Sequence, residues 1–132
     1  MKTLLVLGAS EGQLPVYRAA RRLGLRTIGV DQNPAAVAAG AADKFYCVST
    51  RDVTGIRRAI GRSPIQGVIS PASDASALGV RDLCCTYSTP FCVSRRAALA
   101  SLDKAFFRTI LDCLPAGAVL PGAVGKSSSS IY

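Results

Sequence analysis

At 132 residues the chain can form one domain with a buried core, and its 49% of apolar residues argues against general disorder. It carries 16 Lys and Arg against 8 Asp and Glu, which gives a formal net charge of +8. The basic residues are scattered along the sequence and are not interleaved with aromatic residues. This pattern favours a solvated Arg-rich surface over a binding site for a phosphate-bearing ligand. We expect no nucleic-acid partner.

The first predicted element is a buried strand at Thr3–Leu7, a continuous apolar run that ends at Gly8. The run is too short for the apolar part of a signal peptide, and Glu11 follows almost at once. The rest of the sequence contains nothing that approaches the length of a membrane span. We therefore expect a cytoplasmic protein without a membrane partner.

Helices and strands are then predicted to alternate. Leu14–Leu23 has apolar residues at helical spacing, begins near Pro15 and is closed by Gly24, and Arg26–Val30 is the next strand. Further strands are predicted at Phe45–Val48, Gly67–Ser70 and Phe91–Val93, and further helices at Val53–Ile60, Ala75–Cys85, Arg95–Ala100 and Lys104–Leu114. This order predicts an α/β fold, a doubly wound Rossmann-like parallel sheet of at least four strands with helices on both faces.

The composition changes towards the end of the sequence. Residues 115–125 contain two Pro and three Gly, and residues 126–132 are rich in Ser. This composition is typical of a linker. We place a domain boundary near residue 101, with a Rossmann-like substrate domain at 1–101 and the start of a truncated second domain, with a linker, at 102–132.

The sequence has five cysteines and no histidine. No CxxC pair is present, so the usual zinc patterns are absent, and a catalytic cysteine lacks its common histidine partner. We predict free, mostly buried thiols, none of them a nucleophile. Cys84 and Cys85 point about 100° apart on a helix, so a disulfide between them is not expected.

The segment Gly8–Gln13 forms a glycine-containing loop between the first strand and the first helix. Such a loop lets the backbone approach a ligand closely, and the helix start offers N–H groups and partial positive charge to an anion. Its spacing departs from the G-x-G-x-x-G pattern of dinucleotide sites. Asp31 ends the second strand, where dinucleotide-binding proteins hold a ribose hydroxyl, but Asp before Asn33 and Pro34 also simply starts a turn. Ligand binding and a structural turn remain equally good interpretations.

A second motif lies past residue 100. Lys104 and Arg108 are one helical turn apart, so two cations share a helix face. Phe107 and Leu111, and likewise Phe106 and Ile110, have core spacing. Taken alone, this pattern indicates an amphipathic helix with a solvated basic edge.

The order of these motifs along the chain resembles the ATP-grasp superfamily of carboxylate–amine ligases. The resemblance rests on the glycine loop, the Asp-x-Asn-Pro turn, Ala42-Asp43, Ser73-Asp74 and Asp-Lys-x-x-Phe-Arg-x-x-Leu at 103–111. It covers the N-terminal (pre-ATP-grasp) domain and the first helix of the nucleotide domain. In this family a carboxylate and ATP form an acyl phosphate, which an amine or similar nucleophile then attacks.

The resemblance implies roles for particular residues. The residues that would face a small carboxylate or phosphate-bearing substrate are Gly8, Ala9, Ser10, Glu11, Gly12, Gln13, Asp31 and Asp74. Lys104 would contact the phosphates of ATP, which with Mg²⁺ would be the cofactor of the intact enzyme. The family's nucleotide- and metal-binding motifs lie beyond residue 132, so we expect no catalytic or metal-binding residue here and no activity of the chain alone.

Two other functions remain open from the sequence. The first βαβ unit and Asp31 are also compatible with an NAD(P)-binding oxidoreductase domain, and the whole pattern with a non-enzymatic flavodoxin-like regulatory module. Nucleotide titrations distinguish these interpretations. Exposed apolar surface from the domain interface also makes self-association a possible property of the chain.

Overall fold

The computed structural model describes residues 1–71 and 73–113, without the side chain of Asp74. The predicted linker and the last residue of the predicted helix Lys104–Leu114 lie outside these residues. The strands are β1 Thr3–Leu7, β2 Arg26–Asp31, β3 Lys44–Cys47 and β4 Gly67–Ile69. The helices are α1 Leu14–Arg22, α2 Val53–Ile60, α3 Ala77–Thr86, α4 Arg95–Leu102 and α5 Lys104–Asp112, and 3-10 turns span Glu11–Gln13, Ala39–Ala41 and Asp74–Ser76.

The four strands form one parallel sheet in the order β3-β2-β1-β4. The central strand is β1, in which Leu5 pairs with Ile28 of β2 on one side and with Val68 of β4 on the other. The chain adds β2 and β3 on one side of β1 and then crosses to β4 on the other. The strand order therefore reverses between β1 and β4, which is where a crevice opens in doubly wound folds.

Each face of the sheet carries its own apolar cluster. Leu5 and Leu7 of β1 belong to a buried cluster with Ile56 of α2 and Leu83 of α3. Val6, which points to the opposite face because side chains alternate along a strand, belongs to a cluster with Tyr17 of α1. The predicted α/β class and doubly wound parallel sheet with helices on both faces are therefore confirmed.

Three of the five helices in the described residues begin at a residue whose side chain caps them. Asp52 accepts the Gly55 N–H at the start of α2, and Ser94 accepts the Ala97 N–H at the start of α4. Asp103 accepts two N–H groups at the start of α5. Each cap satisfies N–H groups that would otherwise have no intrahelical partner.

The strand predicted at Phe91–Val93 is wrong. These residues have no regular secondary structure, and Phe91 is 87% exposed. The Cys92 thiol instead lies 3.6 Å from the carbonyl oxygen of Arg81 in α3. Contacts with α3 therefore take the place of strand pairing, since local strand propensity is weak against tertiary contacts.

The prediction of mostly buried cysteines is also wrong. All five are thiols, and Cys84 is buried, whereas Cys47, Cys85, Cys92 and Cys113 are exposed.

No helix in residues 1–71 and 73–113 combines the length and apolar character needed to cross a bilayer. The boundary near residue 101 stays a prediction, and α5 packs against α4 while leaving Phe107 and Leu111 partly exposed.

Candidate functional site

A polar cleft of about 490 Å³ lies at the carboxyl edge of the sheet. Loops that follow all four strands contribute to it, so it occupies the crevice expected where the strand order reverses. The residues that line it are Leu7, Gly8, Ser10, Gln13, Asp31, Gln32, Ser49, Thr50, Arg51, Ser73, Ala75 and Ser76. We call Gly8–Gln13 with Asp31 the glycine-loop wall, and Ser49–Arg51 with Ser73, Ala75 and Ser76 the hydroxyl wall.

Gly8 fixes the path of the glycine-loop wall. Its φ is +101°, a conformation that side chains rarely adopt. A Cβ atom at this position would lie 2.9 Å from Cδ of Gln13. The Gly8 carbonyl accepts a hydrogen bond of 2.8 Å from the buried Tyr17 hydroxyl, and its N–H donates to the Val30 carbonyl at 2.7 Å. The loop is therefore held in one conformation from both sides.

Burial raises the pKa of the Tyr17 phenol, and the negative charge of Asp31 adds to this effect. The phenol therefore stays protonated and continues to donate to the Gly8 carbonyl. A side chain on Gly29 would occupy this space, since a Cβ there would lie 2.7 Å from the Tyr17 oxygen. Tyr17 thus supports the glycine loop from beneath and takes no part in the cleft itself.

Asp31 lines the cleft and also connects two loops. Its Oδ2 atom accepts the Ala9 N–H at 2.8 Å, and its Oδ1 atom accepts the Asn33 N–H at 2.9 Å. The second bond is the local turn that the Asp-x-Asn-Pro sequence favours. Each carboxylate oxygen keeps a further lone pair that a ligand donor can use. The position of Asp31 is therefore compatible both with ligand binding and with a purely structural turn.

Gln13 is 4% exposed and connects the loops after β1 and β4. Its Oε1 atom accepts hydrogen bonds from the Ser10 N–H, at 2.9 Å, and from the Ser10 hydroxyl. Its Nε2 atom donates to the Pro71 carbonyl at 2.8 Å. Since both ends of the amide are bonded within the protein, Gln13 forms the floor of the cleft and ties its edges together.

These bonds limit which backbone groups can hold an anion. The Ala9 and Ser10 N–H groups already donate to Asp31 and Gln13. The N–H groups of Glu11 and Gly12 have no hydrogen-bond acceptor in the part of the chain that the structure describes. They begin the 3-10 turn that continues into α1, where a helix start attracts negative charge. Of the six predicted loop residues, Gly8, Ser10 and Gln13 line the cleft, Ala9 is buried, and Glu11 and Gly12 are exposed next to it.

The hydroxyl wall carries the groups that sequence reasoning missed, namely Ser49, Thr50, Arg51 and Ser76, together with Gln32 at the end of β2. Arg51 supplies a guanidinium, and Asp31 is the acidic residue among the described residues that line the cleft. The Ser76 hydroxyl lies 3.4 Å from the Thr50 hydroxyl and 3.3 Å from that of Ser73, so these groups are only loosely bonded to one another. The four hydroxyl-wall residues come after β3 and β4, at the same edge of the sheet where Asp31 ends β2. Their position after a strand could have identified them from the sequence.

Two other predicted site residues lie apart from the lining. Asp74 begins the 3-10 turn Asp74–Ser76 beside the cleft, and its side chain lies outside the described residues. Lys104 is exposed at the start of α5 and does not line the cleft. The described part of the chain has no group of three or more His, Cys, Asp or Glu residues placed to hold a metal ion.

Asp43, part of the Ala-Asp pair in the predicted motif order, lies at the opposite edge of the sheet. Its Oδ2 atom accepts the Thr27 N–H at 2.7 Å and the Thr27 hydroxyl at 2.9 Å. These bonds lower the pKa of Asp43. Asp43 therefore joins the start of β2 to the segment before β3 and is not a cleft residue.

No protein-family model and no curated protein matches the chain, but solved structures match its fold. Phosphoribosylglycinamide synthetase from Anaerococcus prevotii gives a TM-score of 0.72 at 23% identity, over 84% of this chain and 28% of that one. N5-carboxyaminoimidazole synthetase from Staphylococcus aureus, complexed with ADP, gives 0.69 at 16% identity, over 84% and 29%. Glycinamide-RNase-transformylase T from Mycobacterium tuberculosis gives 0.69 at 22% identity, over 85% and 35%.

The chain therefore spans between 28% and 35% of the length of these three structures. At these identities the likeness establishes the fold. This fold is the doubly wound, Rossmann-like one that the alternation of strands and helices in the sequence predicts.

Proposed function

We propose that the chain is the substrate-side domain of an ATP-dependent carboxylate–amine ligase of the ATP-grasp type. In this proposal the cleft at the carboxyl edge of the sheet binds the substrate that is not the nucleotide. The observation that carries the proposal is the polar cleft at the reversal of strand order, in a fold shared with two proteins whose names are those of synthetases. We propose a cytoplasmic location on the same basis.

The chemistry of the cleft favours a small anion, either a carboxylate or a phosphate-bearing molecule. The Arg51 guanidinium matches the planar geometry of a carboxylate or of two phosphate oxygens. The N–H groups of Glu11 and Gly12 offer a second set of donors at a helix start. The remaining lone pairs of Asp31 suit a hydroxyl or amino group on the same molecule. Together these groups fit a substrate with one anionic end and one end that donates hydrogen bonds.

ATP and Mg²⁺ belong, in this proposal, to other parts of the ligase. Phosphoryl transfer needs several cations and a metal around the triphosphate. Lys104 is one exposed cation on α5, and a single exposed charge binds weakly against water and salt. Lys104 would therefore contact the phosphates of ATP only in the intact enzyme, and the 132-residue chain alone should be inactive. In a longer ligase, Lys104→Ala should raise the ATP concentration required without unfolding the protein.

The two alternative functions have less support. An NAD(P)-binding domain typically has the G-x-G-x-x-G spacing in its first loop, from which Gly8–Gln13 departs. A flavodoxin-like regulatory module would not need a cleft that combines a cation, a carboxylate and several hydroxyls.

Anion binding can be measured by NMR titration of the chain with inorganic phosphate at low ionic strength. The amide signals of Glu11, Gly12 and Thr50 should shift with one saturable curve. Arg51→Ala should weaken this binding about tenfold or more, because a charged hydrogen bond is worth about 1.5–3 kcal/mol. Arg62→Ala, which removes an exposed arginine outside the cleft, is the matched control and should leave the curve unchanged.

Titrations with NAD(H) and with Mg·ATP then separate the alternatives. Calorimetry should detect no specific heat with either nucleotide. Saturable NAD(H) binding that Asp31→Asn removes would replace the ligase proposal with the dinucleotide one. Tight Mg·ATP binding would show that the chain itself holds a nucleotide site. If phosphate binds equally well to Arg51→Ala, the cleft is not the anion site.

A further inference from the structure

A pair of exposed thiols lies at the end of α3, outside the cleft lining. The Sγ atoms of Cys85 and Cys92 are 3.5 Å apart, and both residues are exposed. Neither residue contributes to the cleft. The proposed substrate site therefore gives no role to either thiol.

The chain reversal that ends α3 brings the two residues together. Ser88 has a φ of +51°, a left-handed conformation that few residues other than glycine adopt. The Thr89 N–H donates to the Cys84 carbonyl at 3.0 Å, which closes the helix. The chain then turns back, and the Cys92 thiol lies 3.6 Å from the Arg81 carbonyl oxygen. The backbone of the helix end thus determines how closely the sulfur atoms approach.

We propose that Cys85 and Cys92 form an oxidant-sensitive dithiol, a modification site at which a peroxide joins the two side chains in a reversible disulfide. Bond formation requires the sulfur atoms to come about 1.5 Å closer, to a separation of about 2.05 Å. Rotation of two exposed side chains can supply this movement. Cys84 is not a competing partner, because it is buried and points about 100° away from Cys85 around the helix.

The reaction consumes one molecule of hydrogen peroxide. The Cys85 thiolate attacks one peroxide oxygen, the O–O bond breaks, and the released hydroxide takes up a proton to leave as water. The Cys92 thiolate then attacks the sulfur of the resulting sulfenic acid, the S–O bond breaks, and a second water leaves. In total the two thiols lose two electrons and two protons, and the peroxide accepts these electrons and protons as it becomes two molecules of water. A dithiol reductant reverses the reaction by thiol–disulfide exchange.

The contact between the two sulfur atoms separates their roles. The interaction with Cys85 raises the pKa of the Cys92 thiol. Because the thiolate is the reactive form, Cys92 is the weaker first nucleophile and takes the role of the resolving thiol.

The disulfide would fasten the segment after α3 to the helix. This segment contributes Pro90, Phe91 and Val93 to an apolar groove that Val68 of β4 and Val80 of α3 complete. A crosslink across this short loop restricts the unfolded chain. Oxidation should therefore raise the melting temperature of the chain by a few degrees and reduce the mobility of Phe91.

The test uses the full reduced chain treated with hydrogen peroxide and then alkylated under denaturing conditions. Intact mass should show one internal disulfide per chain, formed at a rate independent of protein concentration and reversed by dithiothreitol. Chymotrypsin cleaves after Tyr87, between the two cysteines, and should release a linked pair of peptides. Trypsin leaves both cysteines in one peptide and cannot give this result.

Four variants complete the test. Cys85→Ser and Cys92→Ser should each abolish the internal disulfide, and circular dichroism should confirm that both variants are folded, as expected for exposed sites. Cys47→Ser and Cys113→Ser, at exposed cysteines outside this pair, are the matched controls and should form the disulfide at the parent rate. A disulfide that includes Cys84, a crosslink between two chains, or oxidation of Cys85 no faster than that of Cys47 would overturn the proposal.

Discussion

The two walls of the cleft differ in where their polar groups are directed. In the glycine-loop wall, the side chains of Asp31 and Gln13 are bonded to the backbone of Ala9, Ser10 and Pro71. In the hydroxyl wall, the hydroxyls lie 3.3–3.4 Å apart, and Arg51 is exposed. The glycine-loop wall is therefore held in shape by its own hydrogen bonds, whereas the hydroxyl wall presents the exposed Arg51 guanidinium to a ligand.

This difference matters for how a glycine motif is interpreted. The glycine loop is the feature of the sequence that most resembles a ligand site, yet most of its hydrogen-bonding capacity maintains its own shape. Preorganisation of this kind helps a binding site, because a loop that is already ordered loses little entropy when a ligand arrives. Substitutions in the glycine-loop wall should therefore change stability, and substitutions in the hydroxyl wall should change binding.

The largest expected effect is that of Gly8→Ala. The new Cβ atom would meet Gln13 at 2.9 Å in a backbone conformation with φ of +101°, so both the loop and the Gln13 contacts must move. We expect the free energy of unfolding to fall by roughly 3 kcal/mol, measured by urea denaturation. Gly24→Ala is the control, since Gly24 also has positive φ but open space around it, and it should cost about 1 kcal/mol. Equal losses in the two variants would mean that the Gln13 contact contributes nothing.

Removing the amide of Gln13 should have the next largest effect. Gln13→Leu leaves the Ser10 N–H and the Pro71 carbonyl without their partners in a partly buried site. We expect a loss of roughly 2 kcal/mol of unfolding free energy, together with weaker phosphate binding. Gln32→Leu, at an exposed position in the same cleft, should change stability by less than about 0.5 kcal/mol. Similar stability of the two variants would contradict a structural role for Gln13.

Much of this fold could be predicted from the sequence, because buried parallel strands have simple signatures. Apolar runs such as Thr3–Leu7 are continuous because both faces of the sheet are covered, and Gly24 ends a helix as expected. The strand predicted at Phe91–Val93 was wrong because contacts with α3 override local propensity. Such contacts depend on the path of the chain and leave no local pattern.

The site was predictable in position but not in detail. Asp31 and the glycine loop were identified because they follow strands at the carboxyl edge, and the same reasoning applied to β3 would have identified Arg51. The bond between Gln13 and the Pro71 carbonyl could not be predicted, since it joins residues 58 positions apart. Sequence position therefore indicates which residues are near a cleft, but not which of their hydrogen bonds are already used.

Asp43 extends the comparison to the opposite edge of the sheet. Its lowered pKa means that it stabilises the fold above the ordinary carboxyl pKa, and that this contribution is lost as the pH falls through the lowered value. Thr27→Val removes the hydroxyl and should cost about 1 kcal/mol at pH 7. The difference from the parent chain should shrink as the pH is lowered through and below the ordinary carboxyl range, because the carboxyl group then becomes protonated. Thr54→Val, at an exposed position in α2, is the control for the substitution itself. If the loss of unfolding free energy in Thr27→Val does not depend on pH, the hydrogen bond to Asp43 is contradicted.

The smallest expected effect on stability is that of Arg51→Lys, which tests the hydroxyl wall most directly. Arg51 is exposed and lies in the cleft lining, so the substitution should change the unfolding free energy by less than about 0.5 kcal/mol. Lysine keeps the positive charge but loses the planar fork that bonds two oxygen atoms at once. Phosphate affinity should therefore fall between those of the parent chain and Arg51→Ala in the same NMR titration. If Arg51→Lys binds phosphate as tightly as the parent chain, the residue acts through its charge alone. If Arg51→Lys lowers the unfolding free energy as much as Gln13→Leu does, the two walls do not differ in the way described.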